Sequence, residues 1–270
     1  MVSTSSAPPA VPSTRSSDIV LALRGQRDHR PNIDPLLAGG LRSWLEDGLS
    51  DVARDLDPST PMLLSPRTIV SGPLVAVPPL IALARSILIG NLVTLRLSLG
   101  EVHHPMDDAL SALEADHRQT GLVEAIHELD QDRFAQLAAE IEAHDTVLAR
   151  HLSQLPSAWL PRSNVRISAA LAGGRIMVNA VANVALGAPA RDIASVCFLD
   201  VTTSSLDDNT LRRLGVIGLI ETLRSGAPPL RVASLSTGTG DTAIIDVTDE
   251  ILAQAVADVV AAAQSRGGLS

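Results

Sequence analysis

The chain has 270 residues, with 21 basic and 30 acidic side chains, a net charge of −9 and 46% apolar residues. That is enough for one large domain or two small ones, and the acidic balance argues against a broad electrostatic grip on nucleic acid or an anionic membrane. Every basic residue is arginine and tyrosine is absent; arginine stays protonated, which excludes a Walker-type lysine, a pyridoxal-phosphate lysine and a Ser–Lys dyad.

Residues 1–17, MVSTSSAPPAVPSTRSS, lack the apolar core of a secretory signal and read as a disordered tail. DIVLALRG (18–25) is a short strand candidate. RGQRDHR (24–30) gathers three arginines and a histidine, which fits either a phosphate contact or a solvated surface. A helix is expected over about 34–56, with Leu37, Leu41, Trp44, Leu45, Leu49, Val52 and Leu56 at helical spacing. PMLLSPRTIV (61–70) reads as another short strand, and 80–99 and about 107–153 carry further helical patterns. The apolar run 74–99 contains Pro78, Pro79, Arg85, Asn91 and Arg96. It is too interrupted to span a bilayer and reads as a buried helix, so the expectation is a soluble cytoplasmic protein with no membrane partner.

The character changes at LPSAWLPRS (155–163), where two prolines break the helix. Strand patterns follow at about 164–171, 175–186 and 193–202, the first pair joined at Gly173–Gly174. LDDNTLRRLGVIGLIETLRSG (206–226) is a helix with Asp207 and Asp208 in its first turn and Gly226 at its stop. A hairpin around Thr237–Asp241 and a helix over about 249–266 close the chain. The division expected is a tail (1–17), a mostly helical region (18–155) and an α/β core (156–270) whose first helix covers about 132–153.

The strand within IASVCFLDVTTSSLDD (193–208) is apolar on both faces, as a central strand should be, yet carries Asp200 near its end. Alternation puts Val196, Phe198, Asp200 and Thr202 on one face. In the preceding strand Ile176, Val178, Ala180, Ala182, Val184 and Leu186 share a face, opposite Asn179 and Asn183. Hairpin pairing would bring Asn183 near Asp200. The lone Cys197 reads as a core residue, unable to build a disulfide or a cysteine metal cluster.

The stretch GGRIMVNAVANVALGAP…ASVCFLDVTTSSLDDNTLRRLGVIGLIETLRSGAPPLRVAS resembles the core of the PD-(D/E)xK nuclease superfamily, in its RecB-like branch. The resemblance covers roughly residues 135–265 and implies a restriction-endonuclease-like αβββαβ core. It also implies a metal site of two acids holding Mg²⁺ or Mn²⁺ and a lysine that positions water. Position by position, the first acid falls on Asn183, the second on Asp200, and the lysine on Thr202. Asparagine is a poorer Mg²⁺ ligand than a carboxylate, and threonine supplies no cation. Charge-stabilising groups in active sites are worth on the order of 10²- to 10³-fold each, so the pattern points to a catalytically degenerate member.

Other constellations are weaker. The stripe Phe134, Leu137, Ile141, His144 and Leu148 places His144 one turn after Glu140. The RecB-like branch often puts a metal ligand on such a helix, so Glu140, His144 and Asp200 are the candidate ligands, with His151 a weaker alternative and a core histidine the plainer reading. His127–Glu128 lacks the second histidine of a metalloprotease, STGTGD reads as a hairpin turn, and His103 and His104 read as solvated. No nucleophile-elbow pattern occurs, and with two tryptophans and two phenylalanines there is no aromatic platform for stacking bases. The expectation is a non-enzymatic interaction or DNA-associated module, with DNA or a DNA-processing complex as partner and no cofactor. The alternatives are a rewired Mg- or Mn-dependent nuclease and a scaffold with no nucleic-acid role.

Overall fold

Leu41, Leu45 and Leu49 stand one turn apart and are buried along α1 (Pro35–Asp55). Trp44, expected on that stripe, is 49% exposed, because it lies about 100° round the helix from Leu45. The computed structural model describes residues 23, 35–57, 59–71, 79–152, 161–187 and 197–267. The tail, the arginine-rich segment 24–30 and residues 193–196 of the expected strand lie outside them. The strand expected at 18–25 is also outside, except for Leu23, which is helical and fully buried; a short apolar run suits a buried helix as well as a strand.

After α1 come β1 (Met62–Leu64), α2 (Pro66–Ser71), α3 (Leu80–Leu99), α4 (Pro105–Glu114), α5 (Thr120–His127) and α6 (Gln131–His151). Then follow β2 (Arg162–Leu171), β3 (Ile176–Leu186), β4 (Cys197–Thr202), α7 (Thr210–Ser225), β5 (Arg231–Ser236), β6 (Thr242–Asp246) and α8 (Asp249–Gly267). The protein is mixed α/β, with a mostly helical N-terminal half and, among the described residues, six strands in one mixed sheet.

Three local readings change. The strand expected over 61–70 stops at Leu64, because Ser65 caps α2: the Thr68 N–H donates to Ser65 Oγ at 3.2 Å, and Pro66 stands at the first helical position. The helical run 107–153 is cut into three, the last piece starting where Asp130 accepts the Arg133 N–H at 2.8 Å. Asp207 and Asp208 precede α7 rather than forming its first turn. Asp207 accepts the Thr210 hydroxyl at 2.9 Å. Gly226 stops α7 as expected, in a left-handed conformation (φ 79°) that other residues resist.

β2, β3 and β4 form an antiparallel meander; α7 then crosses over, and β5 returns parallel to β4 with β6 antiparallel beyond it. β2 pairs along residues 176–185 of β3, so β1 and β4 share the other edge. β1 pairs at Ile176–Val178 and β4 at Val184–Leu186, leaving a fork along 179–183. The β5–β6 turn folds back on the tip of β4. The Thr237 N–H donates to the Thr202 carbonyl at 2.8 Å, and a β-carbon at Gly238 would overlap the Thr203 carbonyl oxygen.

Helices cover both faces of the sheet. On one, α1, α7 and α8 enclose Leu45, Phe198, Ile220, Val232 and Val256. On the other, α3 to α6 enclose Leu88, Ile126, Ile141, Leu199 and Leu235. The helical half is therefore not a separate layer of chain, since α1 and β1 belong to the same core as β2–β6. Among the described residues, α3 alone is long and apolar enough to cross a membrane, and half of it is buried within this chain. Arg96 of α3 clamps Asp145 of α6 through two hydrogen bonds of 2.6 and 2.5 Å inside that cluster.

One expected pattern fails in β3. Ile176, Val178, Ala180 and Ala182 face the first cluster, but Val184 and Leu186 face the second, and Ala185 takes their place. The alternation slips at Asn183, opposite Asn164, whose φ of 49° interrupts the β2–β3 ladder. A left-handed residue rotates the strand about its own axis.

Candidate functional site

β4 leaves β3 after Leu199. The gap is bridged by a side chain: Asn183 Oδ1 accepts the Val201 N–H at 2.7 Å. Asn183 is 8% exposed and acts as a substitute sheet carbonyl. The expectation that it would lie near Asp200 holds to within one residue, but its amide oxygen is committed to the backbone. Beside this bridge the fork opens into a cavity of about 630 Å³. Asn179, Ala180 and Val181 of β3 form one wall, and Asp200, Val201 and Thr202 of β4 the opposite one. Ser234 of β5, Ile217 and Arg213 of α7, and Pro66 and Arg67 of α2 also line it.

Asp200 is one of two acids that line this cavity, and burial pushes its carboxyl up to about 6, with the Arg213 charge pulling it back down. No donor among the described residues hydrogen-bonds to it. Ser234 stands beside it in the β4–β5 register, is 2% exposed, and its hydroxyl has no partner among the described residues. Arg213 is engaged elsewhere: it meets Asp207 at 2.9 Å and Thr210 Oγ1 at 2.9 Å. Asp207 also lines the cavity, and its carboxyl is held below the usual range by Arg213, with a further contribution from Thr210. Thr202 Oγ accepts the Ser204 N–H at 3.2 Å, closing the turn after β4.

The other candidate ligands are not at this cavity. Glu140 and His144 stand on α6, against the opposite face of the sheet. Glu140 receives Arg85 at 2.7 Å and is held low by that guanidinium. Burial, with the charge of Arg85, keeps His144 below the usual imidazole range, although the carbonyl of Thr237 and the charge of Glu140 favour the protonated ring. His151 Nδ1 is buried without a hydrogen-bond partner among the described residues. Among the described residues no three His, Cys, Asp or Glu side chains form a group able to hold a metal. A divalent cation is therefore poorly matched by these residues: one carboxylate is unpaired, one is in an ion pair, and the amide at position 183 is already bonded.

Sequence reasoning missed Ser234 and Arg213. Ser234 is one of two serines of RVASLS on the Asp200 side, and only the parallel register, which pairs it with Asp200, singles it out from Ser236. Arg213 carries no such signal, because only the path of the β4–α7 turn brings it back to the strand end. Comparisons with protein-family models and with curated proteins returned no match to this chain.

Proposed function

We propose that this chain is a restriction-endonuclease-like domain of the PD-(D/E)xK kind whose nuclease site is retired, and that it works as a non-enzymatic interaction module. The succession α6–β2–β3–β4–α7–β5, with an antiparallel meander followed by a parallel return, supports the αβββαβ reading. The observation that carries the retirement is the bond from the Val201 N–H to Asn183 Oδ1. The position where a nuclease of this kind keeps its first acid is here a structural link, and a metal would have to break that link to use it. Thr202, at the lysine position, likewise closes a turn, and no lysine exists elsewhere in the chain to replace it.

The test is incubation of the full chain with supercoiled plasmid and labelled duplex in Mg²⁺ and in Mn²⁺. The expected result is no cleavage at stoichiometric protein. DNA association is checked in the same samples by retention of duplex, and retention through arginine contacts would fall steeply with added salt. Metal-dependent cleavage that disappears in Asp200→Asn would falsify the reading.

A further inference from the structure

We propose that the cavity beside Asp200 is a receptor for a compact organic cation, a primary ammonium or guanidinium group carried on an alkyl stem. The inference rests on the non-enzymatic reading of the same site and names what it would bind.

Complementarity argues for this ligand class. Asp200 offers a carboxylate that no described donor engages, and Ser234, 2% exposed, sets an unpartnered hydroxyl next to it on β5. A cation donating to both would make charge-assisted bonds, the strongest ordinary kind. Arg213 does not already fill that role, since its fork is held by Asp207 and Thr210. Ala180, Val181, Ile217 and Pro66 supply apolar wall for a methylene stem. An anion would meet the Asp200 and Asp207 charges; Arg67 also lines the cavity, but it is exposed on α2 and is not among the charges that act on the Asp200 carboxyl. Sugars and bases are commonly held on aromatic faces, and among the described residues no aromatic side chain lines this cavity. The chain contains no lysine, so a side-chain ammonium must come from another molecule.

The shared chemistry could arrive on a free polyamine or on a lysine side chain of a partner protein. The test is calorimetric titration of the full chain at pH 7 with n-butylammonium, with spermidine, and with a blocked Gly-Gly-Lys-Gly-Gly peptide. The expected result is saturable binding of n-butylammonium, weakened at least tenfold by Asp200→Asn and about threefold by Ser234→Ala. Glu101→Gln, which removes an equal charge from an exposed site, should leave it unchanged. Tighter binding of spermidine than of the peptide assigns the cation to a free polyamine; the reverse assigns it to a partner's side chain. Absence of binding by all three probes, equal binding of n-butanol, or equal losses in Asp200→Asn and Glu101→Gln would overturn the proposal. Thermal melts of the variants separate lost binding from lost fold. Failure here without DNA cleavage leaves the non-enzymatic reading standing, whereas cleavage in the plasmid assay removes that reading directly.

Discussion

Two carboxylates on opposite faces of the sheet show how differently this fold treats its inward-facing acids. Asp145 is locked by Arg96 through two short bonds between α3 and α6. Asp258 has Arg212 at 2.7 Å, and the fully buried Glu221 has Arg224 at 2.8 Å. Asp200 has no such partner among the described residues. A chain of 21 arginines supplies one to each of these other acids, so the unpaired state of Asp200 marks its place in the fork rather than any shortage of cations. The Asp145 and Asp258 pairs tie separate helices together, the Glu221 pair lies within α7, and Asp200 faces a cavity.

Removing one partner should break this contrast at its strongest point. Arg96→Ala leaves Asp145 buried and uncompensated, and should lower stability by about 3–5 kcal/mol. Urea unfolding followed by circular dichroism measures it; a loss below about 1 kcal/mol would mean that the clamp is relieved by water.

Asp200→Asn should act in the opposite direction. Its carboxyl titrates near 6 when folded against an ordinary value of 3.8, so the folded state binds the proton more tightly than the unfolded one. Wild-type stability should then fall as pH rises from about 4 to about 6 and stay flat above that. Among the described residues, the other charged groups lining the same cavity are Asp207, Arg213 and Arg67. At pH 7.5 the variant should be more stable than wild type by on the order of 2–3 kcal/mol, at 1.36 kcal/mol per pKa unit, and the gain should vanish near pH 4. Unfolding curves at both pH values decide; an equal gain at each would remove the titration of Asp200 as its cause.

The smallest effect concerns the bridge at the fork. Asn183→Ala leaves the Val201 N–H without its acceptor and should lower stability by about 1–3 kcal/mol. Asn183→Asp, which keeps an acceptor, should recover most of that loss, and hydrogen exchange at Val201 reports the bond itself. Slow exchange persisting in Asn183→Ala would count against the bridge.

Much of this architecture was legible in the sequence, and the reasons differ by element. The limits of α3 follow from its apolar run and the proline before it, and β4 reads as central because both of its faces are apolar. α2 escaped notice because a six-residue helix offers no period to recognise, although Ser65 and Pro66 spelled out its start. The exposure of Trp44 and the slip at Asn183 were hidden for another reason. Both depend on which side of an element meets a neighbour far along the chain, and Asn164 departs from ordinary strand geometry without any glycine to announce it. At the site, Asp200 stood out as an acid at the end of an apolar strand, whereas Arg213 and Ser234 became visible only when the strand order was in hand.

The staple formed by Thr237 and Gly238 on the end of β4 has a consequence for how this protein could diversify. With Thr202 and Thr203 pinned by the neighbouring turn, the strand wall of the cavity is the costly one to remodel. The opposite rim is α2, a six-residue helix entered from a three-residue strand. Substitutions at Arg67 or Ser71, which line the cavity from that rim, can recut its outline while the sheet beneath stays as it is, so the shape of the fork is free to drift at a margin that the core does not police.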